Sequence, residues 1–282
     1  MNSSKEEIVF LTPEESKLKR ALKNGLKRIL MVVINPFATY EEIGIEPEFF
    51  GPSILILLSL LFSFLDKYSS FISAYYTRTS LMSITKPSTS TLMGYFIVNY
   101  VSNQTINLSE IKTAPSLTIL MKAADSILML ALFGLAMRLV PLYLVSFLLA
   151  SVLKGDTRGM LPGICYTLSP LVLQQGINIV LKKMYLSSLK GIIVVLPKDI
   201  SPARDARLIS SAINLYLTLQ GSYVQLVSLV NWFFILWQLV LLIALFIGIC
   251  KFGVVKSIAL TIATYVLVSI ALMPIYKAIM GF

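Results

Sequence analysis

Five apolar runs dominate this chain. The second, Ala124 to Leu153, stretches for about thirty positions around a single inner cation, Arg138. A helix crosses a bilayer core with about 20 apolar residues, and in lipid it must satisfy its backbone polar groups within itself. Runs of this length restrict the chain to a helical membrane architecture. They are expected at about 51–75, 124–153, 160–181, 223–250 and 257–276. Composition agrees: 56% of residues are hydrophobic and 13% charged, against about 45–50% and 25% in soluble domains. The expected fold class is all-α integral membrane, with about five transmembrane helices preceded by a basic amphipathic interfacial helix.

That first helix is announced by Thr12-Pro13-Glu14-Glu15, a cap residue, a proline suited to the first turn and a capping-box glutamate. It should run to about Ile34, ahead of Asn35-Pro36. Leu18, Leu22, Leu26, Ile29 and Val33 fall on one side, and Lys17, Arg20, Lys23, Lys27 and Arg28 on the other. With Lys19 these cations form the expected membrane-surface set. Such a helix lies in the headgroup layer with its apolar stripe facing the acyl chains; the alternative is a helix packed on protein.

Residues 35–53, NPFATYEEIGIEPEFFGPS, should form short pieces between three prolines. The first span, from Gly51, is short up to Leu65 and is expected to continue past Asp66. Residues 68–122 are mixed in character and hold two acceptor sequons, at Asn103 and Asn107. Residues 182–222 contain the apolar piece GIIVVLP and a surface helix at about 203–217. The chain thus divides into a cytoplasmic N-terminal segment, 1–50, and a five-helix membrane domain, 51–282. Residues 1–28 lack the apolar core of a signal peptide, so the first span is expected to act as the insertion signal.

Five spans place the termini on opposite sides. Segments 1–50, 154–159 and 251–256 are denser in Lys and Arg than 66–122 and 182–222, which favours a cytoplasmic N-terminus and an outer C-terminus. The membrane would be the cell membrane in a prokaryote and an endomembrane in a eukaryote. Lys182 and Lys183 run against the bias. The net charge of +10 reports topology and anionic lipid headgroups, not nucleic acid.

The chain has no His, which removes His-metal sites and imidazole acid–base chemistry. Cys165 and Cys250 lie in apolar runs and read as buried small hydrophobes. No phosphate-binding, dinucleotide, zinc-protease or nucleophile-elbow motif occurs. No catalytic residue, metal site or cofactor is expected, and the chain reads as non-enzymatic. Asp66 and Asp125 read as charges at helix ends. Arg138 is the most informative single residue, because an ionisable group in mid-span is costly and marks a functional or packing role. In the packing role it is expected to hydrogen-bond Gln238, Gln174 or a backbone carbonyl, with Asn231 and Asn178 as further interhelical polar groups.

The stretch LKGDTRGMLPGICYTLSP, residues 153–170, holds a polar hinge between two apolar runs. Gly155 and Gly159 allow a tight reversal, while Pro170 should kink the third span. A glycine-and-basic hairpin leading into a helix with Tyr166 and then Pro170 resembles the Yip family of membrane proteins (Ypt/Rab-interacting proteins and their prokaryotic relatives). NPFATYEEIGIEPEFFGPS, NWFFILWQLVLL and IGICKFGVVKSIALTIATYVL are similar to the family's other segments in the same order. The resemblance covers about residues 35–65 and 125–280 and fits a prokaryotic or archaeal member. Arg138 and the long 182–222 loop depart from it. It implies an adaptor or membrane-organising protein whose cytoplasmic N-terminal segment binds a protein partner, small GTPases being the partners in eukaryotic members. Two other readings stand beside it: an anion transporter or permease subunit with Arg138 in the path, and an accessory subunit of a larger membrane complex.

Overall fold

A computed structural model describes residues 13–72, 74–79, 87–92, 94–100, 117–187, 191–197 and 202–280. In chain order these form α1 (Pro13–Ile34), α2 (Pro36–Ile45), α3 (Phe50–Ile72), β1 (Ala74–Thr79), β2 (Ser88–Leu92), β3 (Tyr95–Asn99), α4 (Leu117–Val152), α5 (Met160–Tyr166), α6 (Ser169–Ser187), β4 (Gly191–Pro197), α7 (Pro202–Leu219), α8 (Gly221–Gly248) and α9 (Val254–Met280). Thr12 and the sequons at Asn103 and Asn107 lie outside the described residues.

Among the described residues, five helical stretches are long and apolar enough to cross a membrane: Phe50–Tyr68, Ala124–Val152, Met160–Leu186, Gly221–Gly248 and Val254–Met273. The protein is a multi-pass helical membrane protein. Large apolar side chains such as Leu57, Phe133, Leu148, Trp232 and Ile270 remain exposed along these helices, as lipid-facing surfaces require. The first span continues beyond Asp66 to Tyr68, and its helix, α3, to Ile72.

The third span is two helices. Pro170 has no N–H, and its ring collides with the carbonyl four residues earlier, that of Tyr166. The helix therefore ends at Tyr166, and Pro170 sits in the first turn of α6, where a proline is tolerated. Between them, Thr167 and Leu168 donate their N–H groups three residues back, to Ile164 at 3.0 Å and Cys165 at 3.1 Å. The expected kink is a full break.

By packing, the chain forms two compact units. One comprises Met1–Ile56, Leu142–Ser169 and Leu239–Phe282; the other comprises Leu57–Pro141 and Pro170–Gln238. In the first, α2 packs between α5 and the end of α8. A Cβ on Gly248 would lie 2.8 Å from the Tyr40 backbone carbon, so only glycine lets these backbones approach so closely. Tyr40, Ile43, Met160, Ile164, Tyr166, Leu245 and Phe246 are buried around this contact.

The second unit contains a four-stranded sheet of order β1-β4-β3-β2. Strand β4 is parallel to both neighbours, pairing Ile192 with Ala74 and Ile193 with Ile97. Strands β2 and β3 form an antiparallel hairpin whose turn includes Gly94 at a φ of 85°. Side chains alternate across the pleat. Ala74, Phe96, Val98, Ile192, Val194 and Leu196 form one core with Ile209, Ala212, Ile213, Tyr216 and Leu217 of α7. Ile97, Ile193 and Val195 are buried on the other face. The helix expected at 203–217 is present, with its apolar face sealed against the sheet. The sheet itself was not foreseen, since the 68–122 segment and GIIVVLP carried no strand assignment.

Strands β1–β3 follow the first span and β4 follows the third. Alternating crossings put both connections on one side of the membrane, as the pairing of β4 with β1 and β3 requires.

Candidate functional site

Two clusters of polar residues stand out, one in each unit. In the first unit, α1 turns three faces to its surroundings. Gly25, Arg28 and Val32 are buried, at the i, i+3, i+7 spacing of one helical face. Leu22, Leu26, Leu30 and Ile34 are exposed in a row, and Lys19, Lys23 and Lys27 are exposed beside them. The side chains of Lys17 and Arg20 are not among those described.

Arg28, expected with the membrane-surface cations, is instead buried at 6% exposure. Its Nη1 donates to the Glu46 carbonyl at 2.8 Å. Its Nε lies 3.9 Å from a Glu42 carboxylate oxygen and its Nη2 4.0 Å from one of Glu46. Helical geometry explains the correction: Arg28 falls on the face with Gly25 and Val32, which is turned to protein. Its planar fork suits several acceptors at once, so it ties α1 to α2. A polar hollow of about 310 Å³ lies beside it, lined by Asn24, Lys27, Arg28, Glu42, Ile45 and Glu46.

Glu48 joins α3 to α5. One carboxylate oxygen accepts the N–H groups of Phe50 at 2.7 Å and Gly51 at 3.1 Å, capping α3 where its dipole favours an anion. The other accepts the Tyr166 hydroxyl. The hinge completes the cluster. Gly155 packs against the Phe252 ring, and Gly159, at a φ of 75°, sits under the Ile43 carbonyl, where a Cβ would come within 2.8 Å. Lys251 pairs with Glu41 at 3.1 Å. Tyr40 is fully buried, its hydroxyl has no hydrogen-bond partner among the described residues, and burial pushes its pKa well above the ordinary phenol value.

The second cluster is a cavity of about 190 Å³ in the other unit. Ser59, Ser63 and Lys67 of α3, Gly134 and Arg138 of α4, and Gln175 of α6 line this half-open hollow together with Leu130, Ala131, Leu135 and Leu171. Ser59, Ser63 and Lys67 recur every fourth residue and so share a helix face. Gln175 bridges the serines: it accepts from Ser59 Oγ at 3.5 Å and donates to Ser63 Oγ at 2.8 Å. Arg138 is exposed at this wall. At the same end of α3 as Lys67, Lys182 pairs with Asp66 at 3.2 Å.

Arg138 lines the cavity with Gln175, one position beyond the expected Gln174. Gln174 donates to Asn231 Oδ1 at 2.6 Å, an interhelical pair between α6 and α8. Gln238 is buried within α8. Ser59, Ser63 and Lys67 were overlooked; their four-residue repeat inside an apolar run was the available signal. Comparison with protein-family models, with curated proteins and with solved structures gives no match.

Proposed function

We propose that the protein is a non-enzymatic membrane adaptor or membrane-organising protein. In this reading its N-terminus is cytoplasmic, and α1 lies at that surface, against anionic headgroups and a protein partner. One observation carries the reading: α1 keeps parallel rows of leucine and lysine exposed while its third face is fastened by Arg28 to α2. A helix with an apolar row beside a basic one suits a headgroup layer, and each lysine near a negative surface contributes about 1 kcal/mol of attraction. The resemblance to the Yip family points the same way, since it implies partner binding through the N-terminal segment.

A photo-crosslinking residue in place of Leu26 or Leu30, in the full chain in native membranes, tests the idea. The reading expects a discrete protein adduct alongside lipid adducts. Lipid adducts alone, from both positions, would set the adaptor reading aside.

A further inference from the structure

We propose that the outer edge of β2 is a docking site for the β2 strand of a second copy of this chain, added antiparallel so that two four-stranded sheets join into one. The proposal does not rest on the adaptor reading, since the sheet lies in the other unit. Among the described strands, β2 pairs with β3 alone and stands at the edge of the sheet. An open edge is a template for pairing, and edges are commonly blunted by charges, proline or a bulge. This strand has none of them. Its sequence is Ser88-Thr89-Ser90-Thr91-Leu92, its register on β3 runs without interruption, and Ser88, Thr89 and Ser90 are exposed.

The hairpin dictates what the edge offers. Two residues separate Leu92 from its partner Tyr95, and a turn of that length closes on a hydrogen-bonded pair. Such pairs alternate with non-bonded ones along an antiparallel ladder. Ser88, Ser90 and Leu92 therefore turn their backbone N–H and C=O groups to β3, and Thr89 and Thr91 turn theirs outward. A two-fold axis at Ser90 sets Thr89 of each copy against Thr91 of the other. Four backbone hydrogen bonds form, and every outward group finds a partner.

Charge and placement favour a second copy as the occupant. Every cross-strand pair in this register is neutral, whereas the opposite edge, β1, carries Arg78 and would bring like charges together. One face of the sheet packs, with α7, on Phe64, Ile127, Tyr185 and Tyr223, which stand near the sheet-side ends of α3, α4, α6 and α8. The sheet thus lies across these span ends, and its edges point along the membrane plane. An antiparallel pair has its two-fold axis perpendicular to the sheet. Here that is the membrane normal, an axis that copies inserted in one orientation can share, as an isologous dimer requires. Five residues of edge bury less than the roughly 1,000 Å² of a stable soluble interface, so the dimer is reversible and is favoured by confinement in the bilayer.

The test uses the full chain at low expression in isolated cell membranes, oxidised with copper phenanthroline and run on non-reducing gels. The native Cys165 and Cys250 are buried. Ser90→Cys places two thiols opposite each other at the axis, with Cβ atoms about 4.5–5.5 Å apart, a small adjustment from disulfide geometry. It should give a linked dimer. Ser88→Cys, on the same face of the strand, holds its two thiols about 14 Å apart in this register and should link about tenfold less. Thr89→Pro, added to Ser90→Cys, removes an outward N–H and spares the ladder to β3, the setting in which an edge strand tolerates proline. Two of the four bonds are lost, and the linked fraction should fall about tenfold. No linkage from Ser90→Cys, equal linkage from positions 88 and 90, or linkage that Thr89→Pro leaves unchanged overturns the proposal. A Ser90→Cys adduct of another mass in place of the dimer also overturns it, because a strand of a different protein would then occupy the edge.

Discussion

The Tyr166 hydroxyl donates to the Glu48 carboxylate across 118 positions of sequence, and the same carboxylate caps α3 through Phe50 and Gly51. One side chain thereby fixes both the start of the first span and the end of α5. Tyr166→Phe removes one bond to a charged acceptor and should cost about 1.5–3 kcal/mol. Glu48→Ala removes the cap as well and leaves a buried hydroxyl without its acceptor, so it should cost more, by about 1 kcal/mol. Thermal unfolding of both variants in detergent checks the order. Equal losses would mean that the cap contributes nothing.

The proposed sidedness, with a cytoplasmic N-terminus, can be tested by labelling. Ser90 in β2 and Asp156 in the hinge are both exposed, and they lie in connections separated by one span. Cysteine placed at Ser90 should react with an impermeant maleimide in intact cells. Cysteine at Asp156 should react only after permeabilisation. The reverse pattern would turn the N-terminus outward.

Alkaline pH should loosen the sheet. Tyr100 is buried at 4% exposure and donates to the Leu208 carbonyl at 2.9 Å, and burial pushes its pKa up to about 12. The folded state therefore holds the phenol proton more tightly than the unfolded chain, whose tyrosines ionise near pH 10. This contribution is complete below about pH 10 and falls away as the pH climbs towards 12. Tyr100→Phe should cost about 1 kcal/mol at neutral pH and flatten the decline between pH 10 and 12. A decline of unchanged slope in the variant would exclude Tyr100 as its source.

Cys250 should resist alkylation. Burial, with a smaller contribution from the nearby Asp156 carboxylate, pushes its thiol up to about 12, and Cys165 is likewise buried. Since the thiolate is the reactive form, modification at pH 8 should be slower than for an exposed thiol by a factor on the order of a hundred or more. Mass spectrometry after iodoacetamide treatment should find both cysteines unmodified until the protein is denatured. Fast labelling of Cys250 in folded protein would contradict its burial. This inertness also leaves the native cysteines in place during the maleimide experiment.

The spans were legible because a hydrophobic run is a local property, and α1 and α7 because an amphipathic period is one too. The sheet was not. Strand β1, AYYTRT, and β2, STSTL, are polar or mixed; β1 becomes a strand through β4, far along the chain, and β2 through the hairpin with β3. GIIVVLP in β4 has the continuous apolar character of a strand buried on both faces, yet a short run of that kind fits helix and strand alike. The cavity was half legible. Arg138 stands out in any apolar run, but which polar groups it would share a space with depends on how α3, α4 and α6 rotate about their axes. The fate of Arg28 shows the same limit: charge alone assigned it to the headgroups, while the position of Gly25 and Val32 on its face assigned it to protein.

Because β1 touches the rest of the sheet only through β4, its pairing with residues about a hundred positions downstream imposes an order on biogenesis. When β1–β3 emerge from the first span they have only the β2–β3 hairpin to form, and an isolated hairpin is marginal in water. Two further spans must be inserted before the central strand reaches them, and α7 must follow to cover its face. The sheet therefore closes late in synthesis, and until then an unpaired β1 and one edge of β3 stay open to other strands. A stall in inserting the second or third span would leave those edges exposed, which makes this segment the one most in need of protection while the chain is being made.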